Sequence, residues 1–236
     1  MSGARRIEVV EDVAGAAAQR IAAVAAAGGH IALSGGSTPR AAYERLAELD
    51  VDWSRATLWF GDERCVAPSD ERSNYAMVRT ALLDRLGDPG PDVRRMAGEM
   101  GPSDGAGLYG EDLRSVWGDG MPALDLVLLG LGPDRHTASL FPGRPEVEEA
   151  ERPVVGVPEP GVEPRVARIT LTIPAINASR EALFLVAGQK KAEAVADAFT
   201  GTPGPDRPAS LVAPAAGGAT VLLDAAAAAL LPEEAR

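Results

Sequence analysis

Residues 126–143 read LVLLGLGPDRHTASLFPG, and the fold turns on how that stretch is understood. Leu126, Val127, Leu128 and Leu129 form an unbroken apolar run, the pattern of a strand buried on both faces of a parallel sheet. The run breaks at Gly130 and Gly132, passes Asp134 and His136, and then offers Thr137 and Ser139 as caps for a short helix. Open α/β sheets hold their ligands in loops past the carboxyl ends of their strands. One of only two histidines in the chain stands in such a loop here.

Outward from that stretch, apolar strands alternate with glycine-rich turns and helical patterns. On the amino-terminal side, Ile7-Glu8-Val9-Val10 reads as a short strand, and Asp12 caps an alanine-rich helix running to Ala27. His30-Ile31-Ala32-Leu33 is a second strand, leading into Ser34-Gly35-Gly36-Ser37-Thr38-Pro39. Pro39 suits the first turn of a helix over 40–49, with Ser37 or Thr38 as its cap. Glycines, hydroxyls and a helix amino terminus together make an anion site. Thr57-Leu58-Trp59-Phe60 is the next strand, followed by a charged loop with Asp62, Glu63 and Arg64. There Arg64 suits an anion, with Asp62 or Glu63 fixing its guanidinium. A helix over 73–86, a long loop over 87–107 and a helix over 108–117 complete this half.

Beyond Gly143 the chain is rich in Pro and Glu as far as Pro164. A small lid-like subregion is expected near 143–170, with an edge strand at 153–157. Residues 167–172 alternate as a strand with Arg168 facing outward. A short helix runs from Pro174 to near Ser179, and 182–186 form another buried strand. Gly188-Gln189-Lys190-Lys191 leads into a helix ending at Phe199, and 201–208 form a loop. Residues 219–223 are the last strand, with Asp224 capping a closing alanine helix. This alternation predicts one α/β domain over 1–236 on a doubly wound, mostly parallel sheet.

Composition narrows the functional classes. Hydrophobic residues make up 46% and charged residues 24%, a globular balance. A net charge of −11 argues against nucleic acid, whose binding rests on clustered Lys and Arg. A single cysteine, Cys65, rules out an internal disulfide and fits a reducing cytoplasm. The start MSGARRIEVVEDV has no apolar core of the kind a secretory leader carries, and no window approaches the roughly 20 apolar residues of a membrane helix. The expectation is a cytoplasmic protein with neither nucleic acid nor membrane as partner.

Several chemistries lack their signatures. In a dinucleotide fingerprint begun at Gly130-x-Gly132 the third glycine falls at Arg135. Ser34 is not in a G-x-S-x-G elbow. Two distant histidines do not make a metal site, and Cys65 as nucleophile would need a histidine partner. What remains is Asp134 and His136, the 35–39 loop, Arg64 and Lys191, all just past predicted strands. In a parallel sheet those loops share one edge, so the residues assemble an anion pocket with one titratable base, suited to a phosphorylated metabolite.

These residues also match a known pattern. SGGSTPRAAYERL, WFGDERCVAPSDERSNYAMVR, DLVLLGLGPDRHTASLFPG, RITLTIPAINASREALFLVAGQKKAEAV and PASLV, in that order across almost the whole chain, resemble the bacterial type of 6-phosphogluconolactonase. The resemblance implies the three-layer α/β fold shared with glucosamine-6-phosphate deaminase, ribose-5-phosphate isomerase and CoA transferases. It implies hydrolysis of 6-phospho-D-glucono-1,5-lactone to 6-phospho-D-gluconate in the oxidative pentose phosphate pathway. It also implies no metal or coenzyme, and a monomer or small homo-oligomer. Carried over by motif, His136 is the catalytic histidine and general base, and Asp134 orients it. Arg64 and Lys191 hold the substrate phosphate, and Gly35, Gly36, Ser37 and Thr38 form the anion loop. Lys191 rather than Lys190 follows from the family spacing alone. Backbone N–H groups over 132–139 are candidates for the oxyanion site.

One position departs from the pattern. Arg135 stands where the family usually has glycine, and glycine there suggests a positive φ or a close approach of backbone to substrate. An arginine would tolerate an altered loop, reach outward to solvent, or add charge near the phosphate. Two other readings of the same fold are an amino-sugar phosphate isomerase and deaminase, and a non-catalytic sugar-phosphate sensor. The first carries a loop resembling D-G-H-I-A-F-N-E-P, where this chain has Ser139-Leu140-Phe141-Pro142. The second needs a helix-turn-helix for which no residues are left over.

Overall fold

The apolar runs pack side by side in the computed structural model, which describes residues 5–235. In chain order the elements are β1 (Arg5–Val9), α1 (Val13–Ala26), β2 (His30–Leu33), α2 (Ser37–Leu46), β3 (Thr57–Phe60), β4 (Asp62–Arg64), α3 (Asn74–Ala81) and β5 (Asp92–Val93). They continue with α4 (Gly101–Trp117), β6 (Leu126–Leu129), β7 (Val154–Val157), β8 (Arg168–Leu171), α5 (Ile173–Asn177), β9 (Glu181–Val186), α6 (Ala192–Thr200) and β10 (Ala219–Leu223). A seven-stranded sheet in the order β1-β10-β9-β6-β2-β3-β5 is parallel throughout, with helices flanking it. Every residue of β6 and β10 is buried, as strands covered on both faces require.

The order of the strands places the site. From β2 the chain steps to β3 and then β5 in one direction, whereas β6, β9 and β10 lie in the other. The winding therefore reverses between β2 and β6, and a crevice opens beyond their carboxyl ends. A second, three-stranded sheet, β4-β8-β7, closes that crevice from one side. Gly61 joins the two sheets: its N–H donates to the Leu33 carbonyl at 2.8 Å, and its carbonyl accepts from the Leu171 N–H at 2.8 Å.

Several elements differ from the sequence expectation. Asp62, Glu63 and Arg64 are not a solvated loop but β4, antiparallel to β8, with both carboxylates buried and hydrogen-bonded. The second helix begins at Ser37, three residues before Arg40, so Gly36 takes the cap position with no side-chain cap. The helix from Ser73 ends at Ala81, and a 3-10 turn covers Leu83–Arg85. Residues 101–107 are helical, not loop, because small side chains let α4 lie close on the second sheet; a Cβ at Gly105 would overlap the Ile169 side chain. The 143–170 stretch contributes β7, the expected edge strand, and leads into β8.

Arg168 faces inward and is buried, not outward. Thr137 and Ser139 cap no helix: Thr137 Oγ1 donates to the Gly130 carbonyl at 2.9 Å, and Ser139 Oγ to Asp62 Oδ2 at 2.6 Å. Asp224 accepts from the Ala227 N–H at 2.7 Å, but the alanine run that follows makes turns and a short 3-10 segment at Glu233–Ala235. Ala227, Ala228 and Leu231 of this run still pack into the core, while Leu230 is exposed.

Candidate active site

A cavity of about 240 Å³ lies at the switch point. Its wall takes Gly35, Gly36, Ser37 and Thr38 from the loop after β2, Arg64 from β4, His136 from the loop after β6, and Lys191 from the turn after β9. Four segments far apart in sequence thus meet: β2, β6 and β9 run parallel and end at one edge, and β4, in the second sheet, brings Arg64 to the same cavity.

The loop after β6 is tightly folded around its histidine. The Gly132 N–H donates to the His136 carbonyl at 2.9 Å, and the Arg135 N–H to the Gly132 carbonyl at 3.0 Å. Gly132 is obligatory for packing, since a Cβ there would overlap the His136 ring and crowd Asp134. His136 Nδ1 lies 2.5 Å from Asp134 Oδ1. A carboxylate accepts, so the ring proton is assigned to Nδ1, which leaves Nε2 with a free lone pair. The Phe141 ring backs the imidazole at 4.7 Å between centroids. Burial works against the Asp134 carboxylate, but the hydrogen bond and charge of His136 outweigh it and hold its pKa below the usual range. Asp134 itself stands behind His136 and is not part of the cavity wall.

Three features of the wall suit an anion. α2 opens at Ser37 behind Gly36, so its first backbone N–H groups have no partner within the helix and no side-chain cap. Gly35 is required by close approach, because a Cβ would overlap the Asn74 amide. That amide donates to the Asp62 carbonyl at 2.8 Å and thereby fixes the loop against β4. Arg64 Nη1 donates to the Arg72 carbonyl at 2.6 Å. Neither acidic neighbour holds its guanidinium. Glu63 accepts from the Asn74 and Tyr75 N–H groups at 2.7 and 2.8 Å, serving the start of α3. Lys191 Nζ donates to the Leu131 carbonyl at 2.5 Å. Burial lowers its pKa, and the negative Asp134 offsets only part of that. Lys190 is exposed and outside the cavity wall.

Two charged side chains of the wall, Arg168 and Asp62, were not read from sequence as lining it. Arg168 borders the cavity, its Nε donating to the Val166 carbonyl at 3.0 Å and its Nη2 to that of Pro164 at 2.9 Å. Asp62 borders it as well, with Ser139 and Asn74 as its partners. The family-like block RITLT carried the only available hint of Arg168, and its alternation pointed the wrong way. Cys65 lies outside the cavity, and burial, followed by the charge of Glu63, pushes its thiol up to about 11. A thiol so held is a poor nucleophile. Among the described residues no cluster of three or more His, Cys, Asp or Glu side chains is arranged to hold a metal ion.

The fold and the cavity define a class: a doubly wound α/β protein whose switch-point cavity gathers Arg64, Lys191, a helix amino terminus and a carboxylate-backed histidine. Comparison with known proteins gives the family. Residues 4–222 match the model for glucosamine-6-phosphate isomerases/6-phosphogluconolactonase. The chain is 42% identical to the 6-phosphogluconolactonase of Streptomyces coelicolor, over 77% of this chain and 72% of that one. It is 41% identical to that of Mycobacterium tuberculosis, over 89% of each. The solved 6-phosphogluconolactonase of Trypanosoma brucei superposes with a TM-score of 0.85 at 28% identity, covering 98% of this chain and 100% of that one. The chain belongs to the glucosamine-6-phosphate isomerase/6-phosphogluconolactonase family.

Proposed function

We propose that the protein hydrolyses 6-phospho-D-glucono-1,5-lactone to 6-phospho-D-gluconate, in the oxidative pentose phosphate pathway of the cytoplasm. The observation that carries this reading is the position of His136, backed by Asp134, on the same cavity as Arg64, Lys191 and the start of α2. Identity above 40% to relatives named for this activity supports it. Among the described residues no helix is long and apolar enough to cross a membrane, and the acidic balance disfavours nucleic acid.

In the reaction, the phosphate sits on the α2 N–H groups with Arg64 and Lys191 as counter-charges. Arg168 supplies a further guanidinium at the wall. His136 Nε2 takes a proton from water as the water oxygen attacks the lactone carbonyl carbon. The carbonyl becomes a tetrahedral oxyanion, which needs N–H donors. The N–H groups of Gly132, Arg135, His136 and Ser139 already donate within the protein. Thr137 is bridged to Leu140, which leaves Asp134 and Ala138, of which Ala138 borders the cavity and is assigned the role. Collapse breaks the bond to the ring oxygen, which takes the proton back from the imidazolium and leaves as a hydroxyl. The new carboxylic acid then ionises. Asp134 holds the imidazole in the reactive tautomer throughout.

The test is a lactonase assay run beside glucosamine-6-phosphate deamination on one preparation. Lactone opening above the spontaneous rate, with no deamination, is expected. Deamination without lactonase activity overturns the reading.

A further inference from the structure

The arginine that replaces a glycine between Asp134 and His136 does not disturb the loop, and its surroundings give it work. Arg135 has φ 70°, the left-handed conformation that a side chain normally disfavours. The backbone therefore keeps the glycine-type path, and something must hold a residue that lacks glycine's freedom. Its side chain turns away from the cavity toward α6. Nε lies 3.0 Å from Asp197 Oδ2, an ion pair outside hydrogen-bonding alignment. The other oxygen of Asp197 accepts from Arg207 Nη1 at 3.2 Å, and Arg207 also pairs with Asp206. The Arg135 carbonyl accepts from the Ala209 N–H at 3.1 Å.

We propose that Arg135 is a positioning residue, which ties the His136 loop through Asp197 to the helix that begins beside Lys191. The proposal rests on the reading of His136 as base and Lys191 as phosphate ligand. The loop is joined to this helix region at two places, through Leu131 with Lys191 and through Arg135 with Asp197. The first joint uses the ammonium that a phosphate would draw on, so substrate competes with it. The second makes no contact with the cavity and persists when substrate arrives. It keeps the base at a fixed distance from the phosphate cation, and small misplacements of catalytic groups are costly in rate.

Exposed ion pairs add little to global stability, so rate rather than unfolding is the readout. In Arg135→Gly the backbone path is preserved and only the tie is lost. Arg135→Gly and Asp197→Asn should each lower kcat about tenfold, and the double variant should lose no more than either alone. Because the pair is half-exposed, salt screens it. The kcat at saturating substrate should fall with added salt in the parent and stay flat in the variants, and Arg135→Lys should recover part of the loss. Unchanged or raised kcat in Arg135→Gly, or additive losses in the double variant, overturn the proposal. If Arg135→Gly has a lowered Tm, Asp197→Asn, which leaves 134–136 untouched, decides alone by the same criteria.

His136→Ala separates the two readings. If that variant is inactive and Arg135→Gly is silent, only the positioning role falls. If His136→Ala keeps full activity, the base reading falls and this proposal with it.

Discussion

The two histidines of the chain occupy opposite edges of one parallel sheet, and the contrast shows what strand polarity does to a side chain. His30 opens β2 at the amino edge, where Nδ1 accepts from Trp59 Nε1 at 3.1 Å and the ring meets Trp117 edge-on at 5.0 Å. His136 follows β6 at the carboxyl edge, with Nδ1 spent on a carboxylate and the ring bordering a cavity. At the amino edge the imidazole has aromatic neighbours and a structural hydrogen bond. At the carboxyl edge loops diverge, helix amino termini point inward and cations gather. The sharpest way to break this contrast is His136→Ala, which should lower the lactonase rate above background by about 10²–10⁴-fold, the usual contribution of a general base. A variant that opens the lactone at the parent rate in a pH-stat would erase the distinction between the two edges.

The cations of the carboxyl edge offer the next two tests. Arg64→Ala removes the proposed charged partner of the phosphate and should raise KM by about 10- to 100-fold, as loss of hydrogen bonds to a charged group does. The value of kcat should change much less, because phosphate is held alike in ground and transition states. A fall in kcat at constant KM would instead put Arg64 at the reacting carbonyl. Lys191 predicts a pH effect. Burial lowers its pKa below that of an ordinary lysine, so its charge is lost at a lower pH than an ordinary lysine's as pH rises. KM should therefore climb on the alkaline side in the parent protein. It should stay level in Lys191→Arg, whose guanidinium does not titrate there. An identical alkaline rise in both would assign it to another group.

Much of this edge was legible from sequence, for physical reasons that also set the limits. Strands buried on both faces carry unbroken apolar runs, so β6 and β9 could be read directly, and the residues just after them had to share an edge. Arg168 was misread because alternation names two faces without saying what covers each. Here α4 packs on the second sheet, and the other side borders the cavity. Asp62 was read as a loop charge because its partners are unpredictable at a distance. Ser139 comes 77 residues later, and only the folded chain brings its hydroxyl to the carboxylate. Arg135 marked a departure in the pattern, but its ion pair with Asp197 depends on how α6 lies beside the loop. Helix starts were displaced where glycine was read as a breaker: Gly36 caps α2 at φ 106°, and within 101–107 Gly105 packs closely on Ile169.

The smallest expected effect on activity belongs to the other histidine, and it tests the contrast from the far side. Trp59 is fully buried, and His30 is the acceptor for its indole N–H. In His30→Ala that donor loses its partner inside the protein, and a buried unsatisfied donor costs about 1–3 kcal/mol. Loss of the ring contacts with Trp59 and Trp117 adds to this. The variant should unfold at lower urea with an unchanged slope, the sign of lost stability without altered compactness. Its kcat/KM at a temperature where it is folded should stay within about twofold of the parent, since substitutions remote from a site rarely act except through stability. Were kcat/KM to fall with stability intact, the amino edge would communicate with the chemistry across the full length of β2. The assignment of structure to one edge and reaction to the other would then have to be given up.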